Sequence, residues 1–328
     1  MGWFLDLRSS DYRTIYATAA PDHFTIGPTF EHATPKVADL VFGDRTLTIV
    51  GARGSRTARR IDYRHTEVAI PAQDALLAAT ITEPVGTGPH PGIVIVHGSE
   101  PGQRYFYDIW VGLYAGLGLA VLTYDKRGNG SSTGTYPGES ATESALATFA
   151  DDASATLSFL ARWPRIDPKR VGYHGGSQGG WTAPLAMKRH AGAAFAVLVS
   201  APAVTVDQTD VWAGFSGHGA RMPSESVDQM LASVRATHGG YDPAPALQAL
   251  TVPVLWLLGT NDRTVPTAVC IEVIQSLHKP NFTVQLLPTG HGLLVNPTGL
   301  EADDAGSPGL APALAPTIKA WIEQSTAR

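Results

Sequence analysis

The sequence predicts an α/β protein built on a doubly wound, mostly parallel sheet, and three observations carry that prediction. From residue 66 onward, short apolar runs rich in branched residues alternate with segments of helical length. The later runs are apolar throughout, as expected of strands covered on both faces. One interval between runs is far too long for a simple connection and reads as an insertion.

The first two runs are TEVAIPA (66–72) and ALLAATIT (75–82), which alternate about a polar turn like a hairpin at a sheet edge. GIVIVHG (92–98), AVLTYD (120–125), RVGYHGG (170–176), FAVLVSA (195–201), PVLWLLG (253–259) and FTVQLLP (282–288) follow. Together they predict an eight-stranded sheet. Helices are predicted at 107–118, 145–163, 177–190 and 267–278, with 313–325 closing the chain. Such alternation puts helices on both faces of the sheet.

The long interval, 202–252, holds DQTDVWAGFSG and SESVDQMLASVRATHG, so a helical cap is predicted at about 202–250. Residues 1–64 fall outside the alternation. They carry Trp3, Phe4, Tyr12, Tyr16, Phe24, Phe30 and Phe42, and strand-like stretches such as KVADLVFGDRTLTIVG. A small β-rich N-terminal module is therefore expected beside a main domain over 65–328.

Composition narrows the function classes. With 328 residues, 44% hydrophobic and 16% charged, the chain is an ordinary globular protein able to bury a large core. A formal charge of -5 argues against nucleic acid or an anionic membrane surface as partner. The local run Arg53, Arg56, Arg59, Arg60 and Arg64 reads as a solvated face. Cys270 is the only cysteine, which rules out an intrachain disulfide and a thiolate-rich metal site. No stretch approaches the roughly 18 apolar residues of a membrane helix, and Asp6 interrupts any secretory leader, so the cytoplasm is the expected compartment. No H-E-x-x-H occurs, and GARGSR and RGNGSSTG lack the lysine placement of a phosphate-binding loop. Neither metal nor cofactor is expected; the expected partner is a small-molecule substrate. The oligomeric state is left open.

The pattern G-x-S-x-G occurs twice, around Ser132 and around Ser177. A serine nucleophile on this motif needs a strand entering the turn and a helix leaving it. Ser132 lies seven residues past the strand ending at Asp125 and is followed by TGTYPGES, a loop. Ser177 comes directly off RVGYHGG and opens a helix, with Gly175 and Gly179 lacking the Cβ atoms that would collide there. Ser177 is the candidate nucleophile, and Ser132 is a turn residue.

A serine hydroxyl needs an adjacent imidazole held by an acid. Asp262, in PVLWLLGTNDRTVP, is the acid that follows a core strand immediately. His291, in LLPTGHGLL, is the only histidine beyond the last strand. Three residue types at three strand ends, in the order Ser, Asp, His, predict a triad. The candidate oxyanion donors are the amides of Gln178, just after the nucleophile, and Ser99, in VHGSEPGQRYF. Glu100 is out of place beside a developing oxyanion and is expected to point outward, paired with Arg104. Trp212, Phe215, Met222, Met230 and Tyr241 of the cap are candidates for an apolar acyl pocket.

HGSEPGQR, YDKRGNGSSTG, GGSQGGWTAP, GTNDRTVP and GHG together resemble the α/β-hydrolase superfamily. Within it they look closest to bacterial esterase and acyl-peptidase-like members with a small β-rich N-terminal extension. The resemblance covers about residues 66–328 and implies the same triad by position. It implies a serine hydrolase acting on a small or medium acyl ester, thioester or lactone. An aminopeptidase or acyl-peptide hydrolase, or a biosynthetic acyltransferase or cyclase, would use the same residues. Glu100 departs from the pattern, since relatives often have glycine there.

Overall fold

The computed structural model describes residues 2–6 and 10–326. The chain has the α/β-hydrolase fold, a mixed, mostly parallel eight-stranded sheet with helices, preceded by an antiparallel N-terminal sheet.

The N-terminal sheet is a meander of β1 (Gly2–Asp6), β2 (Asp11–Ala17), β3 (His23–Ile26), β4 (Ala38–Phe42), β5 (Thr46–Gly51) and β6 (Gly54–Arg59), paired in sequence order. KVADLVFGDRTLTIVG folds into the β4–β5 hairpin, with Leu40 opposite Ile49. Ile26, Ala38 and Leu40 form a small core of their own. Strand β6 is exposed along its whole length, and all five arginines of the 53–64 run are exposed.

The main sheet comprises β7 (Tyr63–Ala72), β8 (Ala75–Pro84), β9 (His90–Val96), β10 (Ala120–Tyr124), β11 (Ile166–Gly176), β12 (Ala196–Val199), β13 (Val254–Gly259) and β14 (Phe282–Leu287). Their order is β14-β13-β12-β11-β9-β10-β8-β7. The β7–β8 hairpin is the antiparallel edge; the remaining neighbours, from β10 to β14, are parallel.

Helices α1 (Asp108–Gly116), α2 (Glu143–Ala161), α3 (Gly179–Arg189), α4 (Val206–Ser216), α5 (Val227–Ala236), α6 (Ala244–Ala249), α7 (Thr267–Ser276) and α8 (Leu314–Ser325) complete the domain. The interval 202–252 supplies α4, α5 and α6. Thr205 and Ser226 close the starts of α4 and α5 as capping boxes with Gln208 and Gln229.

The pleat explains the apolar runs. Val94 and Val96 of β9 pack with Leu157 and Leu160 of α2, whereas Ile93 and Ile95 pack with Leu113 of α1 and Ile318 of α8. Strand β13 divides likewise, with Val254, Trp256 and Leu258 on one face and Leu255 and Leu257 on the other. Each such side chain contributes about 1.5–3 kcal/mol by leaving water, so both layers are needed. Strand β14 departs from the expectation of two covered faces: it is the sheet's outer strand, and Val284 and Leu286 remain exposed.

The connection from β9 to β10 steps one way across the sheet, while β11 lies on the other side of β9. The loops leaving the carboxyl ends of β9 and β11 therefore diverge and open a crevice, where ligands bind in sheets of this kind. The N-terminal region is tied to the long loop after β14 and to the start of α8. The Phe30 amide donates to the Ser307 carbonyl at 2.7 Å, and the Ala315 amide donates to Ser10 Oγ at 3.0 Å. Among the described residues, no helix is long and apolar enough to cross a membrane.

Candidate active site

The turn between β11 and α3 puts Ser177 in the crevice with φ of +50°, a left-handed conformation rarely adopted by a non-glycine residue. The flanking glycines make that turn possible. A Cβ on Gly175 would lie 2.5 Å from the Gly179 carbonyl oxygen, and one on Gly179 would lie 2.5 Å from the Val96 carbonyl oxygen. The Ser177 amide donates to the Val199 carbonyl at 3.0 Å, which anchors the turn to β12.

His291 lies in the loop after β14, and its Nε2 is 3.1 Å from Ser177 Oγ. Its Nδ1 is 2.8 Å from Asp262 Oδ2. A carboxylate only accepts, so Nδ1 carries the proton and Nε2 is the acceptor for the serine hydroxyl. Asp262 is buried, and its Oδ1 accepts from the Thr264 and Val265 amides, both at 2.8 Å. The backbone that carries the imidazole is held as well: Ser200 Oγ donates to the His291 main-chain carbonyl at 2.6 Å. Burial pushes the His291 pKa down, but the charges of Asp262, Glu301 and Asp304 outweigh it and hold the pKa above its usual value.

Ser99, in the loop after β9, and Gln178, after the serine, both border the cavity at Ser177. The loop is built around Lys126, whose buried ammonium donates to the carbonyls of Gly98 at 2.5 Å and Glu100 at 2.8 Å. The two ends of a trans peptide point in opposite directions, so a lysine holding the Gly98 carbonyl turns the Ser99 N–H away from itself. Burial lowers the Lys126 pKa to about 8, with Glu100 and Glu139 opposing the fall. The Gly98 amide donates to the Tyr107 hydroxyl at 2.8 Å, and that hydroxyl donates in turn to the Glu100 carboxylate.

Two expectations need correcting. The Glu100 carboxylate turns to the buried Tyr107 hydroxyl, which donates to it, while Lys126 holds the Glu100 main-chain carbonyl; Arg104 pairs with Glu67 at 2.7 Å instead. Of the five cap residues assigned to an acyl pocket, Tyr241 alone borders the cavity at Ser177. The Trp212 indole donates to the Asp262 carbonyl at 3.0 Å and so pins the cap to the acid's loop. Met230 is buried in the packing of α5, Phe215 borders neither cavity at the serine, and Met222 is exposed beside Arg263. Spacing alone does not distinguish apolar residues that pack a cap onto a core from those that line a cavity. Lys126 and Tyr107, which shape the loop after β9, carry no sequence signal beyond their place near the ends of strand and helix.

Known proteins resemble this chain in sequence or in fold. The prolyl oligopeptidase family matches residues 107–293. An uncharacterized protein of Mycobacterium tuberculosis is 24% identical over 205 residues, or 62% of this chain, and the chain spans 64% of that relative's length. An esterase from Pyrococcus furiosus superposes with a TM-score of 0.58 at 16% identity, over 81% of this chain and 92% of its own. Proline iminopeptidase from Mycobacterium smegmatis gives 0.55 at 17% identity, over 79% and 98%. At such identities the structural likeness speaks to the fold alone.

Proposed function

The chain belongs to the prolyl oligopeptidase family, and on that premise we propose that it is a serine hydrolase whose nucleophile is Ser177, working with His291 and Asp262 on a small or medium acyl ester, thioester or lactone. The single observation that carries this reading is the hydrogen-bonded chain from Asp262 through His291 to a serine in the left-handed conformation at the sheet's switch point.

In this mechanism Ser177 Oγ attacks the substrate carbonyl carbon while His291 Nε2 takes its proton. Asp262 keeps the imidazole in the accepting tautomer and stabilises the imidazolium. The amides of Ser99 and Gln178 receive the negative charge on the carbonyl oxygen, and losing one such donor costs about 3–4 kcal/mol of transition-state stabilisation. His291 returns the proton to the leaving atom, and an acyl-enzyme remains on Ser177. Water, deprotonated by the same imidazole, then releases the acid.

Hydrolysis of p-nitrophenyl esters across a range of acyl lengths, beside the Ser177→Ala protein, tests the assignment. Turnover should be measurable for short and medium acyl groups and lost in the variant. Undiminished turnover in Ser177→Ala would end it.

A further inference from the structure

Two cavities meet at Ser177. One, of about 410 Å3, is bordered by His291; the other, of about 790 Å3, lies beside α4 and is not. In the proposed mechanism the His291 imidazole protonates the leaving atom, so the leaving group occupies the smaller cavity and the acyl group the larger. Among the described residues, Ser99, Ser177, Thr264 and His218 border both. Three of these already have a place in that mechanism: Ser177 as nucleophile, Ser99 through its amide, and Thr264 through the amide that holds Asp262 Oδ1. His218 is the cap's one contribution to the junction, and the mechanism makes no use of it.

The backbone at His218 is one that favours glycine. Gly217, His218 and Gly219 follow α4 with φ of +59°, +59° and +92°, three left-handed residues in a row. Glycine fills the first and third places, as such a backbone invites. The second carries an imidazole at the expense of strain, and strain of this kind collects where a side chain serves function. The ring is exposed and within electrostatic reach of Asp210, but no hydrogen bond or ion pair engages it among the described residues. The fold itself gains little from the ring.

The loop that carries it is nevertheless fastened to the catalytic loops. Ser216, only 1% exposed, donates to the Arg263 carbonyl at 3.1 Å and accepts from the Gly219 amide at 3.0 Å. The His218 amide donates to the Ala213 carbonyl at 2.8 Å, and the Glu301 amide donates to the Gly219 carbonyl at 3.1 Å. Arg263 directly follows the acid of the triad, and Glu301 lies in the long loop that begins with His291. An anchored imidazole with no partner of its own thus stands where the two parts of a substrate join.

We propose that His218 is a specificity-determining residue that packs on the substrate and hydrogen-bonds it through a ring nitrogen, touching both the acyl group and the leaving group, so that the preferred substrates are esters extended on both sides of the scissile carbonyl. The inference rests on the reading of Ser177 as nucleophile.

The test compares ethyl acetate, ethyl butanoate, benzyl acetate and benzyl butanoate, by titration of the acid released, in the unmodified protein, His218→Gly and His218→Asn. Both replacements tolerate a left-handed backbone, and asparagine keeps a hydrogen-bonding group close to the main chain. Relative to ethyl acetate, kcat/KM in His218→Gly should fall at least about threefold for ethyl butanoate and for benzyl acetate, and at least about tenfold for benzyl butanoate. His218→Asn should recover at least about threefold of the benzyl butanoate loss. The denaturant midpoint of His218→Gly should be no lower than that of the unmodified protein, because glycine relieves the strain. A fall confined to one side of the ester, no recovery in His218→Asn, or a lowered midpoint would overturn the role of His218. Ser177-dependent hydrolysis with relative rates unmoved in His218→Gly would refute that role and leave the nucleophile standing; absence of Ser177-dependent turnover on all four esters would refute both.

Discussion

Ser132 and Ser177 sit in the same five-residue pattern and do opposite things. Ser132 is buried, and its hydroxyl is fully engaged in the scaffold: it donates to the Asp125 carbonyl at 2.7 Å and accepts from the Ala78 amide at 2.9 Å. It stitches the turn after β10 to β8. Ser177 is half-buried at the crevice, in a left-handed turn, with its hydroxyl 3.1 Å from an imidazole nitrogen. The difference lies in what enters and leaves each turn. Strand β11 runs straight into Ser177 and α3 starts two residues later, whereas Ser132 is reached through a polar loop and followed by one. Flanking glycines in both places relieve crowding, but around Ser132 they serve the turn's own backbone: Gly130 and Gly134 have φ of +54° and +86°.

Substitutions at the two turns should separate them sharply. Ser177→Ala should lower kcat by about four to six orders of magnitude while the protein stays folded, which steady-state kinetics beside circular dichroism would check. Replacing Lys126 by Met should free the carbonyls of Gly98 and Glu100 and, on the proposed role of the Ser99 amide in the transition state, lower kcat about 10- to 100-fold with a smaller change in KM. Ser132→Ala should leave kcat/KM unchanged but cost about 1–3 kcal/mol in denaturant unfolding, since two buried backbone groups lose a partner. The smallest effect concerns pH. In the proposed mechanism His291 must be neutral to accept the proton, and its pKa is held above the usual 6.5 by Asp262, Glu301 and Asp304 against burial. Activity should therefore rise with pH through a midpoint above 6.5. Glu301→Gln should move that midpoint to lower pH by less than about one pH unit in a kcat/KM profile.

Much of this framework is written locally in the chain. Continuous apolar runs at β9, β12 and β13 declare strands covered on both faces, and the crossing of β11 and α3 demands glycine at 175 and 179. Asp262 and His291 follow strands directly, so order along the chain translates into neighbourhood at one sheet rim. The cap and the loop after β9 are less legible, because their side chains are selected by partners distant in sequence. Trp212 serves a carbonyl 50 residues away, and the Glu100 carboxylate answers to Tyr107 rather than to the nearby Arg104. Glu139, Glu143, Asp207 and Asp210, which border the cavity at Ser177, come from the loop before α2, the start of α2 and from α4, and only the fold brings them together.

Labelling with a fluorophosphonate, followed by mass spectrometry of the modified peptide, bears most directly on the division of labour between the two serines. The phosphonyl group should be found on Ser177 alone, and labelling should fall away in His291→Ala. Modification of Ser132, or of any serine but Ser177, at a comparable rate would contradict the account.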